Sequence, residues 1–154
     1  MKTMLIAASL SLAAVLATAQ AGPALAQSAA PAATPATLTV RFEQIESPSG
    51  MIMLSLFDNE AAYDAGGKPV WANAVQVAGG SVTVTVPGLA PGRYAIKAFH
   101  DVDGDGKMKM NPFGMPLEPF AFSNNARPEG GPARWQAASF DVPAGASETR
   151  IVIQ

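Results

Sequence analysis

Valines and threonines alternate without a break in SVTVTV, Ser81 to Val86. Successive side chains of a strand point to opposite faces, so this segment has one apolar and one polar face. Its valines can leave water only beneath a second layer. The same period recurs along the chain. In TLTVRFEQI, Leu38, Val40 and Phe42 share one face while Thr39 and Arg41 take the other. MIMLSLF, Met51 to Phe57, is apolar on both faces, which predicts a central strand. Pro69 to Val77 alternates more weakly through Val75 and Val77, and Arg134 to Val142 and Thr149 to Gln154 are the last two predicted strands. Only Asn59 to Ala65 has the pattern of a helical turn. About seven short strands with Gly/Pro turns between them predict an all-β, antiparallel sandwich of the Ig-like or transthyretin-like kind, with barrel closure as the structural alternative.

One residue sharpens the sandwich reading. Pro87-Gly88 and Pro91-Gly92 bracket a tight connection into a strand whose early residue is Tyr94. A tyrosine there can return its hydroxyl to the preceding corner, as in Ig-like sandwiches; the alternative is an ordinary core tyrosine. Tyr94, Ile96, Ala98 and His100 share one face of that strand.

The first residues, MKTMLIAASLSLAAVLATAQAGPALAQ, combine Lys2, an apolar run from Leu5 to Ala17 and Ala24-Leu25-Ala26. This is the pattern of a secretory signal cleaved after residue 26, and the run is shorter than the about 20 residues of a membrane span. Residues 27–37 are a Pro/Ala-rich linker expected to stay flexible, and 38–154 form one domain. The net charge of −2 becomes −3 without Lys2, which leaves no basic footprint for nucleic acid. With no Cys, the exported domain must hold together by its core alone. The expected setting is the periplasm or the exterior, and the expected state is a monomer.

Asp101 to Ala133 separates two strands by far more than the about 15 residues beyond which compact domains rarely leave a loop unstructured, so function is sought there. It begins HDVDGDGK. Asp101, Asp103 and Asp105 alternate and Gly106 permits a sharp bend, as in the first half of a calcium loop. The Lys107 carbonyl would add a fourth ligand. Position twelve of such a loop is Pro112 rather than Glu, so Glu118 would have to fold back and close a weak Ca²⁺ site. The alternative is a metal-free acidic turn in which the carboxylates cap their own backbone. His100 is the only His and there is no Cys, which argues against zinc and iron, and no nucleotide motif is present.

Met108, Met110, Phe113, Met115, Leu117, Phe120 and Phe122 make this loop as apolar as a core strand. They are expected to plug one open end of the sandwich; the other reading is an adaptable methionine-rich surface for a partner. Ser123-Asn124-Asn125 suits a hydrogen-bonded turn leaving the plug.

His100-Asp101, Asp105-Gly106-Lys107, Gly114-x-Pro116-x-Glu118 and Phe122-Ser123-Asn124-Asn125 resemble the signature of the domain of unknown function 2141 family of exported bacterial proteins. GLAPGRYAIKAF and MIMLSLFDNEAAY are similar to it as well, and the likeness runs from about Leu38 onward. It departs at Lys109, where the family commonly has an acidic or amide residue. The resemblance implies a small exported β-sandwich without an assigned activity. Two functions follow as expectations. One is a non-enzymatic domain whose loop binds Ca²⁺ or a partner, an unidentified periplasmic protein or a glycan. The other is a hydrolase or carbohydrate-acting module using His100, Asp101 and Glu118 in a cleft. Convergence of those three on an open pocket would favour the second; bonds to their own loop backbone would favour the first.

Overall fold

The computed structural model describes residues 34–154, so the expected signal sequence and most of the expected linker lie outside the described residues. Among the described residues, eight strands form two sheets. The first has the order β4-β1-β8, with β1 Ala36–Glu43, β4 Ser81–Leu89 and β8 Gly145–Val152. In the second, β3 (Trp71–Gln76), β2 (Met51–Phe57) and β5 (Gly92–Asp101) lie side by side. The short strands β6 (Phe120–Phe122) and β7 (Phe140–Val142) share the far edge of β5. The helical pieces are α1 (Glu60–Ala65), a 3₁₀ turn at Ser123–Asn125 and α2 (Trp135–Ala138).

Period-two patterning places the core between the sheets. Leu38, Val40 and Phe42 of β1, Val82, Val84 and Val86 of β4 and Ile151 of β8 face Ile52, Leu54, Leu56 and Ile96 of the second sheet, all buried. Each such side chain contributes roughly 1.5–3 kcal/mol by leaving water. β2 lies between β3 and β5, as its two apolar faces predict. Asn59 caps α1 by accepting the Ala62 N–H, and left-handed Gly66 ends it.

Four expectations are corrected. β1 begins at Ala36, fully buried, so the linker ends before residue 37. The sandwich is not wholly antiparallel, because β1 and β8 run parallel. The Pro69–Val77 strand is confined to Trp71–Gln76. Arg134 to Val142 is not one strand: α2 precedes β7. The Trp135 ring there packs 5.8 Å from that of Tyr63, part of a second small core with Phe57, Ala95, Phe122 and Ala138 on the outer side of the five-stranded sheet. Tertiary packing overrides strand propensity at that point.

The tyrosine corner is present: the Tyr94 hydroxyl donates to the Ala90 carbonyl at 2.7 Å. The turn before β2 is held as closely. Gly50 is left-handed (φ 75°), and a Cβ there would lie 2.1 Å from the Asp101 carbonyl oxygen. Tyr94→Phe should lower stability by about 1 kcal/mol, one hydrogen bond, and Tyr94→Ala on the order of 3 kcal/mol. Gly50→Ala should cost more than Tyr94→Phe, since main-chain collision adds to an unfavourable conformation. Urea denaturation midpoints rank the three.

Candidate functional site

β5 delivers two polar residues into the interior at its end. His100 and Asp101 are both fully buried. On the inner face, His100 Nε2 donates to the Ser49 carbonyl at 2.6 Å, tying the turn before β2 to β5, and among the described residues its Nδ1 has no hydrogen-bond partner. Asp101 points the other way and gathers its own loop. Gly104 and Asp105 donate backbone N–H groups to Oδ1 (2.8 and 3.2 Å), and Gly106 donates to Oδ2 (2.9 Å). Gly104 and Gly106 are left-handed, which aims successive N–H groups at one carboxylate.

Glu118 folds back as the bend through Pro112 and Pro116 suggests, but to the backbone. Its Oε1 accepts from Val102 N–H (3.0 Å) and its Oε2 from Lys109 N–H (2.9 Å). Asp103 and Asp105 are exposed. Asp105 accepts from Lys107 N–H at 2.8 Å, and Lys109 Nζ lies 2.8 Å from Asp103 Oδ2. That hydrogen bond, with the charge of Lys109 behind it, holds the Asp103 carboxyl below the usual range and the Lys109 ammonium above its own. Asp101, Asp103 and Asp105 offer oxygens that all lie within 4.8 Å of one another, an arrangement that could hold a metal ion. Lys107 contributes its N–H to this turn, and Glu118 stands outside the cluster. His100, Asp101 and Glu118 are bonded to backbone groups and line neither of the two clefts described below.

The rest of the long loop is not a plug. Residues 109–117 form a miniature hairpin. Lys109 and Leu117 pair at its base, and the Asn111 side chain accepts the N–H groups of Phe113 and Met115 at its tip. Phe113 is 88% exposed, and Met110, Met115 and Leu117 are more than half exposed. An end plug would have buried them. Phe120 and Phe122 instead lie on β6, edge to face at 5.7 Å, with Phe122 in the small core.

The hairpin stands over the outer face of the five-stranded sheet and walls a cleft of about 650 Å³. The floor follows from the register. Met53 pairs with Phe99 and Ser55 with Lys97 across β2 and β5, while Phe120 and Phe122 flank them on β6. Met108, Met110 and Met115 line the rim. Among the described residues, Lys97 is the only charged one lining this cleft. Its Nζ donates to the Tyr63 carbonyl at 2.6 Å and sits 4.3 Å from the centre of the Tyr63 ring. Burial lowers its pKa, and Asp64 acts in the opposite direction. Sequence reasoning overlooked Lys97. The available signal was the second apolar face of MIMLSLF together with Ala95, Lys97 and Phe99 on the face of β5 opposite Tyr94.

The Ser123-Asn124-Asn125 turn closes the arrangement. The Ser123 Oγ accepts from Ile96 N–H (2.8 Å) and donates to the Ala138 carbonyl (2.6 Å). Left-handed Asn124 donates to the Ser139 carbonyl (2.8 Å), and Asn125 accepts from Val152 N–H (2.8 Å).

A family model described as "Uncharacterized protein conserved in bacteria (DUF2141)" matches residues 40–151, which takes in both sheets, the acidic turn and the cleft. No curated protein and no solved structure matches the chain significantly.

The two kinds of aspartate should separate under mutation. Asp101→Ala leaves three inward N–H groups without their acceptor and should cost about 3 kcal/mol or more. Asp103→Ala removes an exposed ion pair and should leave the urea midpoint in place. Limited trypsin digestion at Lys107 and Lys109 should accelerate only in the Asp101 variant.

Proposed function

The chain belongs to this bacterial family, whose description names no activity, and on that footing we propose that it is an exported, monomeric, non-enzymatic binding protein. Its ligand is apolar and enters the cleft over the five-stranded sheet. The observation that carries this reading is the cleft itself. It is open, it falls in the 300–1,000 Å³ range of small-molecule sites, and methionine and phenylalanine dominate its lining. Exposed apolar residues clustered around such a concavity are a signature of binding surfaces, and methionine walls adapt to irregular ligands. A glycan would present hydroxyls to these side chains and find few partners. Export rests on Lys2, the apolar run and Ala24-Leu25-Ala26, a signal pattern that directs the chain to the periplasm or beyond.

The neutral apolar fluorophore N-phenyl-1-naphthylamine tests the reading. Its emission should rise saturably at one site per chain. Ser55→Trp, which fills the floor, should abolish the rise while the thermal melt stays cooperative. Non-saturable emission, or the same saturation in Ser55→Trp, rejects the cleft as the site.

A second reading is favoured by the gathered oxygens of Asp101, Asp103 and Asp105, to which the Lys107 carbonyl and a reoriented Glu118 could be added. In this reading the acidic turn takes Ca²⁺ weakly, in the roughly 10⁻⁴–10⁻³ M range of extracellular modules, because the ion must displace Lys109 from Asp103. Ca²⁺ at about ten times such a Kd should stabilise the fold by ~1.4 kcal/mol. Lys109→Met should enlarge that increment and Asp103→Ala remove it. Identical melts of the wild type in millimolar Ca²⁺ and in chelator reject the site.

A further inference from the structure

We propose that the ligand of this cleft is an amphiphile with one long hydrocarbon chain and a single negative charge at its head, a long-chain carboxylate, received by Lys97. The inference rests on the cleft being a binding site and adds the chemistry of what fills it.

Lys97 is oddly placed for an ordinary surface lysine. It rises from the middle of β5 on the floor of the cleft, flanked by Ser55 of β2 and Phe122 of β6. Its ammonium is drawn down to the Tyr63 carbonyl and over the faces of Tyr63 and Phe57, 4.3 and 5.6 Å from their centres. An ammonium has three N–H donors. Among the described residues one of the three has a protein acceptor, and no carboxylate forms an ion pair with Lys97. Two donors and a full positive charge therefore remain for a ligand, in surroundings where burial already disfavours the charge. A carboxylate in that place would accept both donors and offset the lost solvation.

The surroundings also orient the ligand. Lys97 is shared between the apolar cleft and a smaller neighbouring pocket of about 110 Å³, lined by Asp64, Glu129 and Arg134. With Lys97 counted, this annex holds two positive and two negative side chains. Its charges balance, so a head with one negative charge leaves it at −1, whereas a doubly charged phosphate would leave it at −2. A hydrocarbon chain leaving Lys97 has Phe99 and Phe120 of the floor and Met108 and Met110 of the rim to pack against. Four methionines around the cleft, Met53 included, suit a flexible chain that takes no single shape.

The test compares ligands of one chain length and different heads as displacers of bound N-phenyl-1-naphthylamine, each below its micelle concentration. Dodecanoate should displace the fluorophore at concentrations about tenfold below dodecanol and below dodecyltrimethylammonium, the effect of one charge-assisted hydrogen-bonded contact. Lys97→Met should bring dodecanoate and dodecanol to within about twofold of each other, and Lys97→Arg should keep the preference. Equal displacement by dodecanoate and dodecanol in the wild type overturns the proposal, and that measurement stands even if Lys97→Met folds poorly. A preference that survives in a folded Lys97→Met overturns it as well. So does co-sedimentation with phosphatidylglycerol vesicles without displacement by monomeric dodecanoate, which would assign the exposed hairpin to a membrane surface. If the fluorophore itself does not bind, the binding-site reading fails; if it binds and dodecanoate has no advantage, only the head-group inference fails.

Discussion

A strand in the middle of a sandwich has little water to satisfy its N–H and carbonyl groups, so protein must supply partners along both edges. β5 meets this demand on one side with the continuous neighbour β2. On the other side no single strand runs its length. β7 pairs with Gly92 to Tyr94, the Ser123 hydroxyl takes the Ile96 N–H, β6 covers Lys97 to Phe99, and the Pro119 carbonyl accepts from His100. Two later segments, the continuous stretch from Pro119 to Ser123 and the strand β7, therefore share one edge. The connection is ordered because β5 requires partners there. In a chain without a disulfide, this patchwork does the work of a covalent staple.

The same edge sets the character of the loop. Near its base, Asp101 and Glu118 collect five backbone N–H groups between them, which lets two buried carboxylates remain in the interior. Farther out, the hairpin of residues 109–117 is held by its own backbone and by Asn111, and it carries its apolar side chains exposed beside the cleft.

The strands of the core were legible because their signal is local. Val82, Val84 and Val86 alternate whatever they pack against, and Tyr94 carries its corner partner four residues upstream. What could not be read depends on pairing across the fold. The helical turn at Trp135 follows from contact with Tyr63, far away in sequence. The parallel register of β1 and β8 is invisible in either segment alone. At the site, the aspartates of HDVDGDGK were identifiable as a group, and the acidic-turn alternative correctly anticipated carboxylates that cap backbone. The cleft was missed because its floor is the outward face of strands read only for their inward one, and Lys97 looked like any solvent-facing lysine between apolar neighbours.

The parallel pairing of β8 with β1 has a consequence for how the chain reaches this state. β1 is the middle strand of its sheet, and one of its edges is completed only by Gly145 to Val152, at the far end of the domain. The contact closes the longest loop in the fold, and contacts of that kind make folding slow. As the polypeptide emerges in order, β2, β3 and β5 can collapse locally, but β1 keeps an unpaired edge until the final strand arrives. Commitment to the native topology thus waits for β8.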